Sequence, residues 1–224
     1  MWRRTNDLSD SLARYQSRNT AEQVALRLEN LLHERTNDLA LLAGLWRNYP
    51  EPERAARFLT DATRIVEQEQ AYHMINYVDT QSVIRVSVPP GKQPELLGLD
   101  LKTLPGRGDL HRQVRDAGRP LASPPMTLTT GRPGMVIWFP ILGGEDDPIL
   151  FDGMVAGIFY VDDIIRRSVT ASALAEFWVC IEIDGTLVYN SEILEAGPAQ
   201  RMDCLLYTSP SPRDRTRSRM PSSA

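Results

Sequence analysis

The stretch INYVDTQSVIRVSVPP, residues 75–90, decides how the chain is read. On both sides of Asp79-Thr80-Gln81 the apolar residues follow a period of two, which marks strands and not helices. HMINYV (73–78) and SVIRVSV (82–88) therefore read as two strands joined by a short turn. In the second, Ile84, Val86 and Val88 face one way and Arg85 and Ser87 the other, and Pro89-Pro90-Gly91 ends it.

Upstream the period is helical. Val24, Leu28, Leu31, Leu39, Leu42 and Leu45 recur at helical spacing across residues 6–46, and Arg35 sits where the stripe calls for an apolar side chain. The pattern predicts one long helix with an interrupted stripe, not a clean coiled coil. Pro50 forces its end, because the residue before a proline is pushed out of the helical region. A second helix is expected over about 51–70, burying Phe58, Leu59, Ala62, Ile65 and Val66.

Downstream, ELLGLDLKTLPGRG (95–108) is irregular. Asp109 is expected to cap a short helix, 110–117, that stops at Gly118. Strands follow at 125–130 and 135–142 around the turn sequence GRPG, then a loop GGEDDP (143–148) and a strand at 151–161. Asp162-Asp163 is expected to cap a helix of about 164–176, and WVCIEI and TLVYN to form a hairpin around Asp184-Gly185. Short turns between strands imply an antiparallel sheet with helices on one side, an α+β fold. Two strands, a helical insertion and three strands is the order of a PAS-type ligand-binding domain. The closing helix and hairpin read as the start of a second such unit. The boundaries that follow are 1–48 for a stalk helix, 49–162 for the PAS-like domain and 163–203 for the truncated second unit.

Residues 204–224, CLLYTSPSPRDRTRSRMPSSA, look like a basic disordered tail. Back-translated, however, Cys204–Asp214 and Ser218–Ala224 resemble two parts of a short-read sequencing adapter, separated by an index-sized gap. The tail is expected to be artefactual read-through, with the natural gene continuing beyond Asp203. Without its four arginines and one aspartate the formal charge moves from −4 to −7, which argues against nucleic acid as a partner. No apolar run is long enough to span a bilayer, and no apolar leader follows Met1. Outside the tail Cys180 is the only cysteine, a small core hydrophobe by its surroundings.

A search for chemistry finds no nucleophile elbow, phosphate-binding glycine loop or paired Cys/His metal signature. No catalytic residue, metal ligand or cofactor site is assigned. His33, His73 and His111 lie far apart; His73 could line a pocket, although a partly exposed strand histidine is the plainer reading. The acidic pairs Asp146-Asp147 and Asp162-Asp163 read as loop solvation and helix capping. What remains is a curved sheet carrying mixed aromatic and polar residues, of which Tyr77, Arg85, Met126 and Trp138 are the candidate ligand-binding set. Tyr77 and Trp138 offer ring faces, Arg85 a fixed charge for an anion. Arg85 alternates against Ile84 and Val86, which turns it to solvent on the simplest reading, and Trp138 is a core residue by the same standard. The irregular segment 92–108, with Gly98, Gly106, Gly108, Pro94 and Pro105, cannot pair as a strand throughout. It is expected to cross over the sheet and leave a cavity beneath it.

The segment from about 70 to 165 resembles the CHASE domain, an extracytoplasmic sensor of bacterial and plant receptors. The resemblance rests on INYVDTQSVIRVSVPP, on the G-x-D-L segment Gly98–Leu101, on MVIWFPIL, and on the F-x-G-x-x-x-G strand with Phe151, Gly153 and Gly157. It implies a small-molecule ligand, a homodimer formed through the stalk helix, attachment to the cell membrane through segments outside this sequence, and a periplasmic position. It also implies a cytoplasmic output domain, a histidine kinase of a two-component system first and a diguanylate cyclase second. Two readings from other classes stand beside it: a soluble cytoplasmic PAS-type module of a regulator, and an enzyme whose catalytic half lies elsewhere in the gene.

Overall fold

The computed structural model describes residues 2–143, 150–169, 180–183 and 186–190. Arg27–Ser168 forms one compact unit, while Met1–Leu26 and the residues from Val169 on belong to another. The expected loop 143–148, all but Gly143, lies outside the described residues. So do the turn Asp184-Gly185, the end of the expected 164–176 helix and the tail 204–224.

The long helix, α1, runs Trp2–Asn48, and α2 runs Arg54–Glu69. In the compact unit α1 buries Leu39, Leu42, Ala43 and Trp46, the i, i+3, i+4, i+7 set of one helical face. Arg35, the break in the stripe, is buried too. Its guanidinium reaches Glu69 at the end of α2 and Asp38 at 3.2 Å, and its carbonyl accepts the Tyr72 hydroxyl at 2.7 Å. The interruption is thus the point at which α1 is ion-paired to α2. Burial raises the Asp38 carboxyl above its ordinary value, with Arg35 opposing.

The sheet has six strands: β1 (Met74–Val78), β2 (Ile84–Val88), β3 (Leu121–Ala122), β4 (Met126–Thr127), β5 (Pro133–Leu142) and β6 (Phe151–Tyr160). All pairings are antiparallel, in the order β2-β1-β6-β5-β3, with β4 also beside β5. This is the mixed helical and antiparallel PAS-like arrangement that the order of elements implied. Its β1–β2 hairpin is held by Asp79, whose carboxylate accepts from the backbone N–H of Gln81 and Val83. Those bonds and the Arg85 guanidinium hold the Asp79 carboxyl below its usual range although burial opposes them. A separate hairpin pairs β7 (Cys180–Ile183) with β8 (Thr186–Asn190).

β1 is buried at all five positions, because both faces of the sheet are covered. Helices α1 and α2 cover one face: Trp46 packs on Phe58 and Tyr77, and Leu39 lies against Gly157. The segment from Gln93 to α3 covers the other, correcting the expectation of helices on one side only, so β5 and β6 read as apolar runs and not as strict alternation. Gly157 has no side chain because a Cβ there would stand 2.8 Å from Tyr72 and 3.0 Å from Leu39. At Gly153 the backbone takes φ +109, and a Cβ would meet the Val78 carbonyl at 2.5 Å.

Three local expectations are corrected. Helix α3 is Arg107–Ala117, and Gly106, left-handed at φ 72, precedes it, so Asp109 is inside the first turn and pairs with Arg112. Helix α4, Val161–Ser168, follows β6 without a loop. This places Asp162 and Asp163 inside its first turn, and Asp162 accepts both of its bonds from Arg132. The strand expected over 125–130 shrinks to β4, because the chain turns at Leu128–Arg132 and Pro133-Gly134 already belong to β5.

Candidate ligand-binding site

The segment between β2 and α3 crosses the sheet as two short 3-10 turns, Pro94–Leu96 and Leu101–Thr103. It is tied to the β2 edge by backbone bonds: Gly98 N donates to Ile84 O, Ile84 N to Leu99 O, and Leu101 N to Ser82 O. The Asp100 carboxylate accepts from Lys102 N and starts the second turn. Gly98, Asp100 and Leu101 thereby acquire separate jobs: a positive φ of 82, a turn cap and a buried anchor.

Beneath this cover lies a cavity of about 50 Å³. One water needs roughly 10–15 Å³, so the space holds about three to five waters or one compact organic molecule. Met74, Asn76 and Val78 of β1, Ile84 of β2, Val136 and Trp138 of β5, and Ala156 and Ile158 of β6 form the floor. Leu96, Leu99, Leu101 and Leu104 form the roof, with His73, Gln93, Arg107, Leu128, Thr129 and Thr130 around them. The floor has a definite register: Asn76 is opposite Ala156, and Ala156 is opposite Trp138. The one-carbon side chain of Ala156 leaves room between an amide and an indole.

Those two groups carry unusual atoms. Asn76 is 4% exposed and Trp138 2%, and Asn76 Oδ1 and Trp138 Nε1 are buried without a hydrogen-bond partner. A buried unpaired polar atom costs about 1–3 kcal/mol, and native cores leave few of them. Here an acceptor and a donor of this kind line the same cavity. His73 Nε2 lies 3.0 Å from the Tyr160 hydroxyl, and Lys92 Nζ donates to the His73 carbonyl. Burial pushes the imidazole down to about 4, helped by Lys92 and Arg132, so the ring is neutral at physiological pH. Arg107 donates to Thr127 O at 3.2 Å and makes no ion pair among the described residues. Burial lowers its pKa from the ordinary value, yet a guanidinium stays charged.

Of the four candidates read from sequence, only Trp138 lines the cavity. Tyr77 is on the opposite face, stacked on Trp46 at 3.6 Å between ring centroids, its hydroxyl donating to Asp152 O. Arg85 lies outside, paired with Asp79 at 2.6 Å and bordering a separate groove between α2 and β2. Met126, in β4, packs against the cavity-side core without lining the space. His73, weighed as a pocket residue, does line it, and it is buried. Asn76, Arg107 and Ala156 escaped the reading. A polar residue two positions from Met74 and Val78 in an apolar strand was the available signal for Asn76.

An antiparallel sheet roofed by a crossing segment, with a small polar-spotted cavity between, is a PAS-like arrangement. The family model described as CHASE domain matches residues 28–188, well over half of the chain. The chain belongs to the CHASE domain family. No curated protein matches it. Among solved structures it is similar to an extracellular ligand binding receptor from Desulfohalobium retbaense (19% identity, TM-score 0.55, 69% of this chain and 27% of that one). It is similar also to the ligand-binding domain of a Pseudomonas aeruginosa amino-acid chemoreceptor in complex with GABA (14% identity, TM-score 0.54, 70% of this chain and 68% of that one). A third is the ligand-binding domain of a Campylobacter jejuni chemoreceptor in complex with 4-methylisoleucine (13% identity, TM-score 0.57, 85% and 75%). At these identities the likeness is one of fold: the chain has the fold of chemoreceptor ligand-binding domains. No helix among the described residues is long and apolar enough to cross a membrane.

Proposed function

We propose that this chain is the small-ligand sensor of a membrane receptor, facing the extracytoplasmic side, and that the cavity between the sheet and segment 92–108 is its ligand site. The carrying observation is the pair of buried unpaired atoms, Asn76 Oδ1 and Trp138 Nε1, on the floor of one cavity. Such atoms are tolerated where a ligand or water completes them. Family membership supports the same reading. In it, residues 1–48 form the stalk through which two copies pair, 49–162 the sensor and 163–203 the start of a second PAS-like unit, with 204–224 foreign to the gene. The output, carried by segments outside this sequence and reached through the membrane, is a histidine kinase in our reading.

The ion-paired contact of Arg35 with Glu69 gives the stalk a grip on the sensor's second helix, which is the mechanical requirement for passing a change in the sheet to α1. The site is tested by melting the chain against a panel of small metabolites. A ligand at a hundred times its Kd adds about 2.7 kcal/mol, a rise of roughly 5–10 °C for a domain of this size. The rise is expected to vanish in Ala156→Phe, which fills the cavity floor. Compounds that stabilise this variant as well as the native chain would show that they bind elsewhere.

A further inference from the structure

The polar groups around the cavity are unbalanced in charge, and this narrows the ligand. Among the described residues that line it, Arg107 is the one formally charged side chain, and none is an aspartate or glutamate. His73 is kept neutral by its burial, with Lys92 and Arg132, the latter paired with Asp162, opposing a proton on it. A buried ammonium would find no carboxylate there, and desolvating an unpaired charge costs several kcal/mol. A carboxylate has the opposite prospect, since guanidinium and indole N–H are both donors to it. Asn76 and Trp138 belong to strands two spacings apart, roughly 10 Å between backbones. They reach the cavity from either side of Ala156. A molecule that bridges them needs an acceptor for Trp138 Nε1, a donor for Asn76 Oδ1 and a short apolar body against the leucines of the roof.

We propose that the cavity takes a compact monocarboxylate bearing a hydroxyl donor, an α-hydroxy acid and not an α-amino acid. The inference rests on the cavity being the ligand site, and it deepens that reading. The carboxylate faces Arg107 and accepts from Trp138 Nε1, the hydroxyl donates to Asn76 Oδ1, and the aliphatic remainder lies under Leu96, Leu99 and Leu104.

Matched pairs that differ only in hydroxyl against ammonium test this directly. The full chain is titrated calorimetrically with lactate against alanine, and with α-hydroxyisovalerate against valine. The hydroxy acid of at least one pair is expected to bind at least 10-fold more tightly than its amino acid. Arg107→Gln is expected to weaken that binding at least 10-fold, and Trp138→Phe, which keeps a ring and removes the N–H, about 10-fold. The indole N–H resonance that disappears in Trp138→Phe should shift on adding the hydroxy acid. Amino acids binding as well as or better than their hydroxy partners, or no binding by any hydroxy acid, overturns the ligand class. Binding that persists in Ala156→Phe, or in Leu104→Trp from the roof should that variant fail to fold, overturns the cavity as the site. A ligand class that fails while the blocking variants still abolish amino-acid binding leaves the sensor reading standing.

Discussion

His73 should make the compact unit acid-sensitive in a way that one substitution removes. The imidazole is buried, pressed against Tyr160 at 4.1 Å between ring centroids, with Lys92 and Arg132 near enough to oppose a proton. Its pKa is about 4 in the folded chain against an ordinary 6.5. The unfolded chain therefore takes up a proton first as pH falls, so stability is complete above about pH 6.5 and is lost as the pH drops toward 4. Integrated from about pH 7 to about pH 4.5, this single group removes about 2.5 kcal/mol. His73→Gln keeps a hydrogen-bonding partner for the Tyr160 hydroxyl but cannot be charged. Urea unfolding of both proteins at the two pH values separates the effect from the others. Asp38, raised by burial, works with the opposite sign near pH 4 but is common to both. The native chain is expected to lose about 2.5 kcal/mol more than the variant, or roughly 1 M more in its urea midpoint. Equal pH dependence of the two would refute the claim that a buried neutral imidazole stands at this place.

Three further outcomes follow from packing and charge. Gly157→Val is expected to destabilise by about 1–3 kcal/mol in thermal melts, because its side chain must displace Tyr72 and Leu39. Gly44→Ala, in α1 with nothing within 4 Å, is expected instead to stabilise by about 0.5–1 kcal/mol. Arg35→Ala should cost about 2 kcal/mol, since Asp38 and Glu69 lose their shared partner, and Arg35→Met should recover part of it by restoring the aliphatic stem. A loss below about 0.5 kcal/mol for Arg35→Ala would mean that the pairing of α1 with α2 contributes nothing measurable.

The elements and their order were legible because periodicity is a local property. The change from helical to two-residue spacing after Gln70 marks the start of the sheet, and β1, β2, β5 and β6 lie where that spacing places them. Boundaries set by a single backbone conformation were not. The left-handed Gly106 starts α3 three residues earlier than a capping reading of Asp109 allows, since a glycine there reverses the chain without any side-chain cap. Likewise α4 grows directly out of β6, and Asp162 serves Arg132 instead of a helix end. The crossing course of 92–108 was readable from its glycines and prolines, and the cavity under it followed.

Sequence alone determined that this chain builds an antiparallel sheet with helices and a segment that crosses over it, because apolar spacing and turn residues act within a few positions of each other. It also settled that residues 74, 76 and 78 share one face of β1 and 75 and 77 the other. Only the tertiary structure decided which of those faces looks into the cavity. Both are covered, so both are apolar and no contrast between wet and dry sides survives in the pattern. For that reason the aromatic Tyr77 drew attention and lies against Trp46, while Asn76 beside it supplies the unpaired acceptor. The row Asn76–Ala156–Trp138 joins three strands distant in sequence, and it exists only once β6 has slotted between β1 and β5 and set their register.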